Sequence, residues 1–347
     1  MKKLLVGAMA VAVGFGLLLA VMTSERGINW RVDKMLTRAD QSLLIDGQLH
    51  VFLCGTAAAL PDENRAGPCT AVLANGEFLL IDAGPGSWRN VDLMNLPVSQ
   101  LSGILVTHFH SDHIGEIGEA ITQSWIAGRK QALDIYGPPG IEQIVEGFRR
   151  VYAQDVTYRV AHHAEEYMPR AGSAAVAHAF AMPTGDTAVP VFERNGVKVS
   201  AFRVQHAPVH PAVGYRIEYA GRVVVVSGDT TKTSATIQNA KGADLLLHEA
   251  LAVHLTDRAS ARARETGFAR FAKLAADVRD YHTTPVQAAE VAAQAGVRQL
   301  VLTHVFPPLP NAIARRIFMK ATAAAFDGKI VLGEDRMRFD LAPVMKN

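Results

Sequence analysis

The chain has 347 residues, 49% hydrophobic and 20% charged, which excludes a disordered polypeptide and leaves room for a sizeable core. Its formal net charge of +2 is too small to point to nucleic acid, and no run of lysine and arginine forms a phosphate-binding stripe. With 2 cysteines and no CxxC, a cysteine-based zinc site is excluded as well.

Lys2 and Lys3 precede an uncharged stretch from Leu4 to Met22. At about 1.5 Å per residue it reaches roughly 28 Å, close to a bilayer's hydrocarbon thickness. Ala20-Val21-Met22 is a poor cleavage site, so residues 1–22 read as an uncleaved signal anchor, with a cleaved signal peptide as the alternative. The flanking lysines keep the N-terminus cytoplasmic. That predicts attachment to the inner membrane through residues 1–22, with the remainder outside the cytoplasm (periplasmic if released). Residues 23–47 read as a mixed-charge linker with one short helix, and residues 48–347 as the globular domain. Cys54 and Cys69 flank a turn-rich segment. A disulfide between them would close a loop of about 16 residues, worth roughly 3 kcal/mol in the chain-entropy model. Two buried thiols on neighbouring strands are the alternative.

"LHVFLCG" predicts a strand, and "AVLANGEFLLIDAGPG" a hairpin around Asn75-Gly76 followed by a buried strand. "LSGILVTHFH" is a further apolar run, and "GPPGIEQIVEGFRRVY" a turn followed by helical spacing. "GVKVSAFRVQH", "GYRIEYAGRVVVVSGD", "ADLLLHEA" and "VRQLVLTH" are later strands, while "PVQAAEVAAQAG" and "NAIARRIFMKATAAAF" are helical. Thr284 before Pro285 has the pattern of an N-cap with proline at the first helical position. Strands mixed with helices predict a layered α/β fold.

One regularity is chemical. Apolar strands end on residues that ligate metals: His108 and His110, His206, Asp229, His248 and His304. Strand ends present side chains rigidly to a common cleft. His206 and His210 compete for one ligand position, and His206 is preferred because it directly ends its strand. His50, His162, His163, His178 and His254 read as surface residues.

"THFHSDH" carries H-x-H-x-D-H at His108, His110, Asp112 and His113, and so resembles the signature of the metallo-β-lactamase superfamily. "IDAGPG", "GYRIE", "SGDT", "LLLHEA" and "LTH" resemble its branch of RNase Z, related phosphodiesterases and arylsulfatase-like hydrolases. The resemblance covers roughly residues 48–345. It implies a four-layered αβ/βα sandwich, preceded here by the N-terminal transmembrane or signal segment. It also implies two metal ions, one held by His108, His110 and His206 and the other by Asp112, His113 and His304, with Asp229 bridging. Imidazole and carboxylate donors suit zinc. The diiron relatives typically carry Glu where His110 stands, which also favours zinc over Mn2+ or Fe2+. The resemblance further assigns catalytic assistance to His248, oriented by Glu249, with Asp112 helping to accept a proton. Asp82 would buttress the ligand loop, and His282 would stand behind the ligands or at the entrance of its helix.

The implied activity is metal-dependent hydrolysis, with hydroxide generated between the metals attacking a phosphodiester or similar ester. The alternatives are an arylsulfatase-like or lactone hydrolase and, in another class, a membrane-anchored non-catalytic metal-binding module. The expected partner is a small-molecule or ester substrate. Common bacterial RNase Z proteins carry a long tRNA-gripping arm between the counterparts of "GYR" and "SGDT". Here only ten residues separate Arg216 from Ser227, which argues against tRNA. The oligomeric state is left open, with a homodimer compatible.

Overall fold

The computed structural model describes residues 14, 15 and 18–344. Most of the expected membrane segment lies outside them. Among the described residues no helix is long and apolar enough to cross a membrane. Contacts divide the chain into two compact units, Met1–Asp40 and Gln41–Asn347. In the first, the helix Glu25–Leu36 begins at Ser24, whose side chain accepts a hydrogen bond from the Gly27 amide.

The second unit carries all the strands among the described residues. Its first six are β1 (Leu49–Gly55), β2 (Cys69–Ala74), β3 (Glu77–Ile81), β4 (Gly103–Leu105), β5 (Leu133–Gly137) and β6 (Ala175–Ala179). Then come β7 (Val189–Arg194), β8 (Val197–Arg203), β9 (Val213–Tyr219) and β10 (Arg222–Val226). The last are β11 (Leu245–Leu251), β12 (Gln299–Phe306), β13 (Lys329–Leu332) and β14 (Arg338–Leu341). They form two mixed seven-stranded sheets, in the orders β14-β1-β2-β3-β4-β5-β6 and β13-β12-β11-β10-β9-β8-β7.

Side-chain alternation sorts each strand between two cores. On β1, Leu49, Val51 and Leu53 join a core between the sheets with Val199, Ile217 and Leu247, while Phe52 and Cys54 face a helical layer that includes Trp88, Ile117 and Ile141. On β11, Leu245 and Leu247 face the inter-sheet core, and Leu246 faces the helix Pro285–Ala295 through Ala288 and Ala292. Four layers follow: helices, sheet, sheet, helices. The helix Pro285–Ala295 starts with a full capping box, Thr284 and Gln287 each satisfying the other's backbone amide.

Cys54 and Cys69 form a disulfide across β1 and β2, with Cα atoms 4.9 Å apart. The β9–β10 connection is a tight hairpin with Ala220 at φ 49° and Gly221 at φ 78°, so no arm is inserted there. "NAIARRIFMKATAAAF" is two short helices, Ala312–Phe318 and Thr322–Ala325, instead of one.

Candidate metal centre

The centre is built where β3 and β4 run out. Asp82 follows β3 in a left-handed conformation (φ 60°), and its amide donates to the Leu105 carbonyl. One carboxylate oxygen accepts the Thr107 amide at 2.8 Å, and the other takes the Thr107 hydroxyl and His113 Nδ1, both at 2.8 Å. Asp82 thus ties both ends of the histidine motif to the sheet and fixes the His113 ring with Nε2 free to face inward. Gly84 completes the clamp. A Cβ there would come within 2.2 Å of the Asp112 carbonyl, so only glycine lets the two loops approach this closely.

The other ligands arrive from the second sheet. Gly228 turns the chain at φ 60° after β10 and delivers Asp229. The Asp229 carboxylate is 2% exposed and lies amid four imidazoles. Its Oδ1 is 3.4 Å from His113 Nε2, while Oδ2 is 3.3 Å from His304 Nε2, 3.6 Å from His206 Nε2 and 3.8 Å from His108 Nε2. Asp112 Oδ2 lies 3.4 Å from His304 Nε2 and 3.7 Å from His113 Nε2. Donor atoms of His108, His110, His206 and Asp229 fall within 4.8 Å of one another, as do those of Asp112, His113 and His304. His210 is exposed and takes no part in either group.

These residues fit metal ions. Nε2 of His113, His206 and His304 and Oδ1 of Asp229 are buried without a hydrogen-bond partner. Leaving so many buried polar atoms unpaired is costly unless a cation satisfies them. Burial pushes the His108 imidazole well below its usual range, and burial likewise lowers His110 and His206, so they present neutral nitrogens. For Asp229 burial acts upward, but the imidazoles of His304 and His113 outweigh it and hold the carboxyl well below its usual range. Burial opposes charge on His113 too, yet Asp229 and Asp82 on either side raise it well above the ordinary value. Metal binding at its Nε2 therefore releases a proton. The arrangement is consistent with a dimetal site.

His248, Glu249 and His282 sit differently around the centre. Strand alternation on β11 gives His248 the face of Leu246, toward the helices, and Glu249 the face of Leu247, toward the metal centre. His248 is fully buried. Its Nδ1 donates to the Glu249 carbonyl at 2.8 Å, and burial lowers its pKa, with Glu249 the one charged group acting on it. The Glu249 carboxylate does not orient His248. It accepts His282 Nδ1 at 2.9 Å and the amides of Thr230 and Thr283, both at 3.1 Å. His282 stands beside the ligands, its ring 5.6 Å from that of His304 and 5.2 Å from that of His206, and a donor atom within 4.8 Å of Asp229 and His304 donors. Burial disfavours its charged form, but the Glu249 carboxylate prevails and pushes its pKa up to about 9.

Two residues contribute that the sequence reading did not single out. The Tyr281 carbonyl accepts His206 Nδ1 at 2.9 Å and fixes which nitrogen faces the metals. Thr107 links Asp82 to the motif, and its only sequence signal is its place before His108. His50 is also corrected. It is buried on β1, with Nδ1 2.6 Å from Asp340 and Nε2 3.0 Å from Asp46. His162, His163 and His254 are exposed and His178 is half-buried.

Comparison with known proteins agrees with this geometry. Residues 78–305 match the beta-lactamase superfamily domain. Ribonuclease Z of Mycobacterium bovis is 33% identical over 298 residues, spanning 85% of this chain and 99% of that protein. The metallo-beta-lactamase fold protein YhfI from Bacillus subtilis shares the fold with a TM-score of 0.59 and 19% identity, over 84% of this chain and 99% of its own. The short form of human tRNase Z does so with a TM-score of 0.59 and 23% identity, over 84% and 99%. The chain belongs to the metallo-β-lactamase superfamily, among its RNase Z-like hydrolases. It is a metallo-hydrolase with a His/Asp metal-binding cluster.

Proposed function

We propose that the protein is a dinuclear zinc phosphodiesterase acting on a phosphodiester smaller than tRNA, held at the inner membrane by residues 1–22 with residues 48–347 outside the cytoplasm. The observation that carries the chemistry is Asp229, grouped with His108, His110 and His206 while its carboxylate also lies 3.4 Å from His113 Nε2 and 3.3 Å from His304 Nε2, with the His282–Glu249 pair alongside. His108, His110 and His206 would hold one ion and Asp112, His113 and His304 the other, with Asp229 within reach of both. When bound, the ion pair supplies a water-derived nucleophile and neutralises charge on the scissile phosphate.

The chain's own residues do the rest. Asp82 and the Tyr281 carbonyl orient His113 and His206. Asp112 is the carboxylate placed to take the proton of the attacking water. Glu249 keeps the proton on His282 Nδ1, so that Nε2, protonated at neutral pH, donates to the leaving oxygen.

The tight β9–β10 hairpin supports a substrate other than tRNA. A second reading, cleavage of a structured RNA, is favoured by the identity to Ribonuclease Z. Zinc-reconstituted full-length protein should hydrolyse bis(p-nitrophenyl) phosphate and leave a precursor tRNA intact. Cleavage of the precursor would establish the second reading, and inertness toward every phosphodiester would overturn both.

A further inference from the structure

The chain between β11 and His282 folds into a hairpin of two helices, Val253–Glu265 and Ala269–Asp277, anchored at its base by Leu255, which packs on the core beside the second sheet. Its inner faces meet through Ala263, Ala272 and Ala275, and the Ser260 hydroxyl donates to the Ala272 carbonyl at 2.7 Å. The outer face is apolar and bare. Phe268 is 67% exposed, Phe271 52% and Leu274 54%, at three-residue spacing and hence in one stripe. Basic residues line the hairpin, Arg264 and Arg270 at its tip and Arg258 further down its first helix. Glu265 is paired with Arg262 and Asp277 with Lys273, whereas Arg258, Arg264 and Arg270 have no ion pair among the described residues.

A second patch of the same kind lies on the helix that follows β12. In the helix Ala312–Phe318, Ile313 is 71% and Ile317 43% exposed, next to Arg316 and Lys320. β10, β11 and β12 are parallel, so Asp229, the hairpin and this helix all leave from the same edge of the sheet. The edge that carries the metal centre therefore carries two apolar patches, each bordered by arginine or lysine.

We propose that this edge docks on an anionic lipid bilayer, with Phe268, Phe271 and Leu274 entering the interface and Arg258, Arg264 and Arg270 contacting lipid phosphates. Apolar stripes bordered by unpaired arginines complement a surface that is anionic outside and apolar beneath. Single-stranded nucleic acid fits less well, because three of the five exposed apolar side chains, Leu274, Ile313 and Ile317, offer no ring for a base to stack on. The apolar run Leu4–Met22 would supply proximity to a bilayer, but the docking face stands on its own observations. The hairpin leads directly into Tyr281 and His282, so docking would set the metal centre against the membrane surface.

Both cysteines are disulfide-bonded, so Ala269→Cys gives one labelling site at the exposed tip. Full-length protein labelled there with an environment-sensitive fluorophore is reconstituted into phosphatidylcholine vesicles with and without phosphatidylglycerol. Emission should shift to the blue and rise severalfold with phosphatidylglycerol, and fall back at high salt. Phe271→Ser with Leu274→Ser should abolish the change, and Arg258, Arg264 and Arg270→Gln should remove the lipid preference. Hydrolysis of bis(p-nitrophenyl) phosphate should be unchanged in these variants, which separates docking from catalysis and shows that they fold. Equal emission in both vesicles, or a shift that survives the substitutions, would overturn the proposal. A concentration-dependent shift without lipid would overturn it in favour of a second copy of the chain. Reversal by a single-stranded RNA would do so in favour of nucleic acid.

Discussion

The loop Thr107–His113 and the pair formed by Glu249 and His282 lie at one metal centre but are assembled differently. The first is seven consecutive residues held by one carboxylate, Asp82, from the neighbouring strand. The second joins a strand residue to a loop residue 33 positions later through a single hydrogen bond of 2.9 Å. A contiguous motif constrains its own geometry, because few backbone angles separate its donors. A distant pair exists only once the helical hairpin between its members has folded. Damage to the first region should therefore empty the centre of metal, whereas damage to the second should leave the metals and slow the chemistry.

The largest expected effect lies where both donor groups converge. Asp229→Ala should reduce bound metal from two ions toward none, measured by elemental analysis after zinc reconstitution, and hydrolysis should fall to background. Retention of two tightly held ions would show that Asp229 does not serve both groups. Next, His282→Ala should lower turnover by about 10²–10⁴-fold with metal content intact, the range of a positioned acid. The loss should be smaller for nitrophenolate esters, whose leaving groups need little protonation. His248→Ala, one residue from Glu249 but on the opposite face, should keep turnover within roughly tenfold. Its cost should appear in stability instead, about 1–3 kcal/mol for a buried hydrogen-bonding group. Reversed losses would return the acid role to His248.

In metal-free protein the Glu249–His282 bond should show itself in the pH dependence of stability. The His282 pKa is raised to about 9 in the folded chain and is about 6.5 unfolded, so its contribution is fully present below about pH 6.5 and lost as pH rises through 9. The shift corresponds to about 3 kcal/mol at most. Urea unfolding of the chelated protein should show this decline, and Glu249→Gln should flatten it. A slope unchanged by that substitution would place the titration elsewhere. Asp82→Asn keeps the shape of the side chain but weakens its hold on His113. Zinc affinity should drop by about 10–100-fold, the usual cost of losing a carboxylate behind a ligating histidine. Competition with a chelator measures it, and an unchanged affinity would mean that Thr107 alone holds the loop.

Much of this was legible in the residues themselves. The strand limits of "LHVFLCG", the turn at Asn75-Gly76 and the cap at Thr284 follow from local side-chain chemistry, and the structure has them where the sequence puts them. His206 could be preferred to His210 because it directly ends its strand, and His210 proves exposed. The disulfide was not legible, because spacing alone leaves Cys54 and Cys69 equally able to stay reduced; adjacent strands bring their Cα atoms to 4.9 Å. His50 was misread because the carboxylates that accompany it inside, Asp46 and Asp340, come from opposite ends of the domain.

The His–Glu dipeptide on β11 marks the boundary most clearly. Its sequence determined that a histidine and a carboxylate would end a buried strand beside metal ligands. It could not determine which of the two faces the metals, since neighbouring strand residues point to opposite sides and either phase satisfies an apolar run buried on both faces. The packing of Leu246 against the helices and Leu247 against the other sheet decided that phase. Glu249 was thereby turned inward to His282, and His248 was left in the core.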